Sequence, residues 1–83
     1  MRVRYFAWVR ERVGRAEEEV DPPRNVKNVG ELIAWLAARD EGYAAAFAEP
    51  RVIRAAIDRN HVGHQTPLAG AGEIAFFPPM TGG

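Results

Sequence analysis

With 83 residues, 47% of them hydrophobic, and 11 basic side chains balanced by 11 acidic ones, the chain fits a single domain with one modest core and no room for a deep, self-contained active site. A net charge of zero, with no basic stretch interleaved with aromatics, argues against a nucleic-acid partner. The longest apolar run, Leu32 to Ala38, is far short of the ~20 residues of a membrane helix, and the absence of cysteine removes disulfides, thiolate metal sites and cysteine nucleophiles. Only five apolar residues, Tyr5 to Val9, follow Arg2 and Arg4, so no signal peptide is read at the N-terminus. A soluble, cytoplasmic protein is expected, with its function on the surface or at an end.

In chain order, residues 2–9 alternate as a strand, with Val3, Tyr5, Ala7 and Val9 on one face and Phe6 and Trp8 on the other. Two large aromatics on the wetter face predict either a covering element or a protein-binding patch. A helical turn from Val9 to Val13 is stopped by Gly14, and Glu17-Glu18-Glu19-Val20 reads as a short antiparallel return strand whose acidic run is a solvated face. Asp21-Pro22-Pro23 ends it, because proline cannot donate to a ladder.

Asn28 followed three residues later by Glu31 is a capping box, and Val29, Leu32, Ile33 and Leu36 form one apolar stripe, which predicts the core helix. Trp35 flanks the stripe, Arg39 suits the dipole of the last turn, and Gly42 is read as the stop. A second short helical piece is expected from Tyr43 to Ala48, with Tyr43 and Phe47 on one face, closed by Pro50. Arg51 to Asp58 is expected as a strand with Ile53, Ala55 and Ile57 on one face. Turn residues Asp58-Arg59-Asn60, a short strand at His61-Val62, a loop from Gly63 to Gly72 and a final strand from Glu73 to Phe77 follow. Strand, strand, helix, strand, short strand, strand describes an α+β fold, a mixed sheet with one main helix on one face, which is the β-grasp arrangement. Residues 1–77 are its domain and 78–83 a flexible tail.

That tail, Pro78-Pro79-Met80-Thr81-Gly82-Gly83, is the leading candidate for chemistry. Two terminal residues without side chains make a thin probe that enters a narrow site and presents only an α-carboxylate. The prolines favour an extended path directed away from the body, and six residues reach at most ~20 Å at about 3.3–3.6 Å each. Phe76 and Phe77 must point to opposite faces of their strand. Phe76, in phase with Ile74, is assigned to the core, while Phe77 with Phe6 and Trp8 is expected to form an apolar patch for partner proteins. His61 and His64 lack an evident third ligand, so no metal site is expected. Arg10, Glu11 and Arg12 read as a charged surface, and no residue qualifies as the general base of a self-contained enzyme.

The opening, Val3-Arg4-Tyr5-Phe6-Ala7-Trp8-Val9-Arg10-Glu11-Arg12-Val13-Gly14, resembles the Phe-Ala-x-x-Arg-Glu-x-x-Gly start of the small subunit of molybdopterin synthase, the MoaD-type sulfur carriers. The close, Pro67-Leu68 and then Glu73-Ile74-Ala75-Phe76-Phe77-Pro78-Pro79-Met80-Thr81-Gly82-Gly83, is similar to that family's Phe-Phe-Pro-Pro and terminal Gly-Gly. The resemblance spans essentially the whole chain and implies a ubiquitin-like β-grasp fold. It implies that a ubiquitin-activating-type enzyme uses ATP to adenylate Gly83, and that a sulfur donor system then displaces AMP to leave a thiocarboxylate. The loaded tail, Gly82 and Gly83 with Met80 and Thr81 behind them, then enters the large catalytic subunit of the synthase and gives sulfur to cyclic pyranopterin monophosphate, two carriers being consumed per dithiolene. A heterotetramer, with no cofactor bound by the carrier itself, is implied. Phe6, Trp8, Arg10, Phe77, Pro78, Pro79, Met80 and Thr81 are the candidate partner-binding residues, Arg10 because it lies in the family's opening motif. The sequence departs from the family at Gly70-Ala71-Gly72-Glu73, where acidic residues are usual, and at Met80, larger than the expected small aliphatic residue. A sulfur carrier for thiazole synthesis, a ubiquitin-like protein modifier and a simple β-grasp binding module remain alternatives on the residues alone.

Overall fold

The structure is a computed structural model, and it describes residues 1–79. Strand β1, Arg2–Tyr5, shows the alternation expected of it, with Val3 and Tyr5 buried and Arg2 and Arg4 exposed. It ends four residues earlier than the sequence pattern predicts. Phe6 is still extended, but Ala7 takes a left-handed φ of 52° and turns the chain into helix α1, Ala7–Val13. Ala7 and Val9 therefore do not share a strand face with Val3 and Tyr5. Val9 reaches the core from the helix instead. An alanine with positive φ costs about 1–2 kcal/mol locally, which burial of Val9 and packing of α1 on its neighbours offset. Gly14, at φ 93°, ends α1 and donates its N–H to the Arg10 carbonyl.

Strand β2, Glu17–Glu19, runs antiparallel to β1 with Val3 opposite Glu18. Helix α2, Val29–Ala37, is the element the sequence specifies best. The Asn28 Oδ1 accepts from the Glu31 N–H at 2.8 Å, while the Glu31 carboxylate accepts from the Lys27 N–H at 2.7 Å, one residue before the usual partner of a capping box. Val29, Leu32, Ile33 and Leu36 are all buried. Their burial is worth roughly 1.5–3 kcal/mol per large side chain.

Gly42 is not the stop that the sequence suggests. Helix α3, Glu41–Ala46, is capped by Asp40, whose Oδ1 accepts from the Tyr43 N–H at 3.2 Å, and Gly42 lies in its first turn. A Cβ there would stand 2.7 Å from the Arg12 carbonyl oxygen, so glycine is required for the approach of α3 to the end of α1. Arg39 lies outside α2, and its guanidinium reaches across to Glu18 rather than serving the helix end. The strand expected from Arg51 begins only at Arg54, because Pro50–Val52 close a 3₁₀ turn with proline at its start. Strands β3, Arg54–Ile57, and β4, Asn60–Val62, form a hairpin whose two turn residues, Asp58 and Arg59, both have positive φ, 47° and 73°, as a type I′ connection demands. Strand β5, Glu73–Phe77, completes a five-stranded sheet of order β2-β1-β5-β3-β4.

β5 occupies the centre, parallel to β1 and antiparallel to β3. The helices supply Val9, Leu32, Leu36, Tyr43 and Phe47 to a core shared with Val3, Tyr5, Ile74 and Phe76 on one face of the sheet. This is the mixed sheet with a helical layer on one side that the element order predicts, with two short helices besides the main one. Pro78 and Pro79 thus follow directly from the central strand.

Candidate functional site

The register of β1 against β5 fixes which side chains surround the root of the tail. Tyr5 lies beside Phe76, and the Phe6 N–H donates to the Phe76 carbonyl at 3.1 Å, so the ladder continues one residue past β1. By alternation, Tyr5 and Phe76 face the core, at 1% and 0% exposure, and Phe6 and Phe77 stand next to each other on the opposite, open face. The expected split of the two phenylalanines is present. Phe77 is half-buried, and Phe6, at 39%, is the one exposed large hydrophobic residue among the described residues.

The open face has a definite composition. Arg4 lies over the Phe6 ring, with its guanidinium carbon 5.3 Å from the centroid, and His61 meets the Phe77 ring edge-to-face at 5.3 Å. Arg54 on β3 lies opposite Phe77 on β5, and two positions along the same ladder the small side chains Ala56 and Ala75 are opposite each other. His64 is elsewhere engaged, its Nε2 2.8 Å from the Ile53 carbonyl oxygen. The two histidines do not converge, and no group of three or more potential metal ligands exists among the described residues.

Trp8 is not part of this face, contrary to the sequence expectation. The turn at Ala7 carries it to the helical side, where it is half-buried against the core and has the Arg12 guanidinium 4.2 Å from its ring. There it lines a groove with Arg12, Glu49, Val52, Pro78 and Pro79. Pro78 and Pro79 are half-buried, so the tail leaves the sheet between two aromatic surfaces, Phe6 and Phe77 on one side and Trp8 on the other. Arg10 is exposed in a shallow depression with Glu11, Gly14, Arg15 and Ala16, apart from that groove. Met80, Thr81, Gly82 and Gly83 lie outside the described residues.

The acidic run at β2 is not uniformly solvated. Glu17 and Glu19 lie on the open face and pair with Arg2, whereas Glu18, opposite Val3, is turned to the core side and is only 7% exposed. Its carboxylate accepts from the Tyr5 hydroxyl at 2.7 Å and the Tyr43 hydroxyl at 2.6 Å, and pairs with Arg39 at 3.1 Å and Arg15 at 3.4 Å. Burial pushes the Glu18 carboxyl up, but the two hydroxyls and Arg39 outweigh it and hold the group below its ordinary value. Tyr5 and Tyr43 are raised, by burial first and then by the same carboxylate. Strand alternation contained the signal, since Glu18 shares its phase with Val20; the three consecutive charges masked it.

The family model of the ThiS family matches residues 3–83. The chain belongs to the ThiS family. As a ThiS-family protein it is 36% identical over all 83 of its residues to the molybdopterin synthase sulfur carrier subunit of Escherichia coli K12, of which it covers 99%. Among solved structures, it matches a protein assigned as molybdopterin converting factor subunit 1 from Pyrococcus furiosus with a TM-score of 0.74 and 25% identity, covering 95% of each chain. SAMP1 from Haloferax volcanii matches with a TM-score of 0.70 and 26% identity, over 100% of this chain and 98% of that one. The β-grasp arrangement read from element order, and the ubiquitin-like fold that the resemblance implies, are thereby established for this ThiS-family chain.

Proposed function

We propose that this protein is the sulfur carrier subunit of a molybdopterin synthase, acting through the carboxylate of Gly83. The observation that carries the reading is full-length similarity to a named sulfur carrier subunit in a chain whose central strand leads directly into Pro78-Pro79-Met80-Thr81-Gly82-Gly83. A bare carboxylate is a poor electrophile. Attack of the Gly83 carboxylate on the α-phosphorus of ATP, in an adenylating enzyme, releases pyrophosphate and gives a mixed anhydride with AMP as leaving group. Sulfur from a donor then displaces AMP and leaves a thiocarboxylate, which is ionised at neutral pH and strongly nucleophilic. The sulfur is thus held on backbone, in keeping with a chain that contains no cysteine.

The carrier's own contribution is positional. β5 is clamped on both edges, by β1 and by β3, so the root of the tail is fixed while the reacting atoms lie several residues beyond it. Phe6 and Phe77 supply the anchor on one side of that root and Trp8 with Pro78 and Pro79 the other. The large subunit supplies the acid–base groups and receives the tail, and the acceptor is cyclic pyranopterin monophosphate. Mixing the thiocarboxylated carrier with the large subunit and that precursor should yield the dithiolene product, with two carriers consumed for each. Failure to transfer sulfur while the thiocarboxylate stays intact would count against this acceptor.

A further inference from the structure

Neutral overall charge conceals an uneven distribution. Four arginines border the root of the tail: Arg4 over Phe6, Arg54 opposite Phe77, Arg51 in the adjoining 3₁₀ turn, and Arg12 over Trp8. All four are exposed. Among the described residues Arg12, Arg51 and Arg54 have no ion-pair partner, and Arg4 reaches Glu73 only at 3.9 Å. Glu49 is the acidic residue lining the Trp8 groove, and the neighbouring hollow that holds Arg51 and Arg54 has His64 and no carboxylate. Carboxylates are instead engaged away from this end, Glu17 and Glu19 with Arg2, Glu19 also with the N-terminus, and Glu18 in its buried cluster.

Guanidinium groups with no partner among the described residues, beside the half-buried rings of Trp8 and Phe77 and close to exposed Phe6, are the composition of a surface that meets carboxylates on desolvation. We infer that the tail root is a cationic–aromatic docking surface for a face of the large subunit that carries carboxylates around the opening admitting the tail. This rests on the functional reading above and adds the charge chemistry of the partner. The occupant is argued from continuity, because the surface adjoins Phe77 through Arg54 and Pro78 and Pro79 through Trp8 and Arg12, so a protein that takes in the tail must cover it. It is argued also from charge, because covering unpaired arginines without counter-ions would strand them. Charge at the rim of such a contact acts mainly on the encounter rate and its salt dependence, while Phe6 and Phe77 hold the complex once formed.

Association of the full-length carrier with its cognate large subunit, followed by stopped-flow or surface plasmon resonance, tests this. The wild-type association rate should fall about tenfold or more between ~0.05 and ~0.5 M salt. The double variant Arg51→Glu/Arg54→Glu should lose at least about tenfold at low salt, with a flattened salt slope, while Arg54→Lys stays near wild type. Arg24→Glu, in the hollow of about 550 Å³ at the far end of the sheet, should leave the rate unchanged. Melting curves of the variants check that exposed substitutions leave the fold intact. A complex that forms with a salt-independent rate, unmoved by Arg51→Glu/Arg54→Glu, overturns this inference and leaves the function standing. Absence of any complex with wild type overturns both. Binding of duplex DNA by wild type but not by the double variant, with the large-subunit rate unmoved, assigns the arginines to another partner and overturns it as well.

Discussion

Two aromatic clusters lie back to back across the same sheet, and they differ in how their charges are closed. On the core side, Tyr5, Tyr43, Phe47 and Phe76 pack with centroids 5.4–6.5 Å apart, and Glu18 is satisfied by two hydroxyls and Arg39. On the open side, Phe6 and Phe77 carry Arg4 and His61 beside their rings and remain accessible. Each open residue is the immediate chain neighbour of a buried one, Tyr5 with Phe6 and Phe76 with Phe77. Strand alternation alone converts one residue type into a buried part and an accessible part. The buried cluster closes its charges on itself; the open one leaves Phe6 exposed and Arg54 without an ion-pair partner among the described residues.

That contrast can be broken from either side. The largest expected stability effect is Phe76→Ala, which removes a fully buried ring contacting Tyr5 and Phe47 and should lower unfolding free energy by about 3–5 kcal/mol in denaturant titration. Phe77→Ala should lower it by under about 1 kcal/mol yet weaken large-subunit binding by roughly 2 kcal/mol, measured by calorimetry. Equal destabilisation by the two would erase the distinction. Glu18→Gln should cost about 1–3 kcal/mol, because Tyr5, Tyr43 and Arg39 lose an ionised acceptor.

The same carboxylate predicts an acid sensitivity. Because Glu18 titrates lower in the folded chain than in the unfolded one, its contribution is fully present above the unfolded value of about 4.3 and is lost as pH falls through the lower folded value. Thermal melts should therefore show wild type losing its advantage over Glu18→Gln as pH drops below about 4.3. A constant advantage across that range would mean that packing rather than charge gives the difference. The smallest expected effect is at Ala7, where Ala7→Gly relieves the positive φ and should shift stability by no more than about 1 kcal/mol, in contrast to a clear loss for Ala7→Val.

The split of Phe76 from Phe77, helix α2 with its cap, the Asp58-Arg59 turn and the order of the strands were legible in the sequence, because alternation, capping and turn chemistry are local signals. What was not legible depends on distant partners or on a residue acting against its propensity. An alanine in left-handed conformation at position 7 breaks the β1 pattern, and only the packing of α1 shows why. Gly42 reads as a terminator until the Arg12 carbonyl is seen beside it. Strand spacing puts Trp8 with Phe6, and the same turn at Ala7 sends it to the other side of the tail root. Gly82 and Gly83, read from their chemistry as the candidate reactive segment, lie outside the described residues.

The central claim is that Gly83 is the sulfur-bearing residue. Intact-mass spectrometry of the carrier after incubation with ATP, an adenylating enzyme and a sulfur donor tests it most directly. The account predicts a mass increase of one oxygen exchanged for sulfur, localised to Gly83 and absent when Gly83 is deleted from an otherwise folded chain. An unchanged mass under conditions that load a known carrier, or isopeptide-linked adducts in place of the thiocarboxylate, would contradict it.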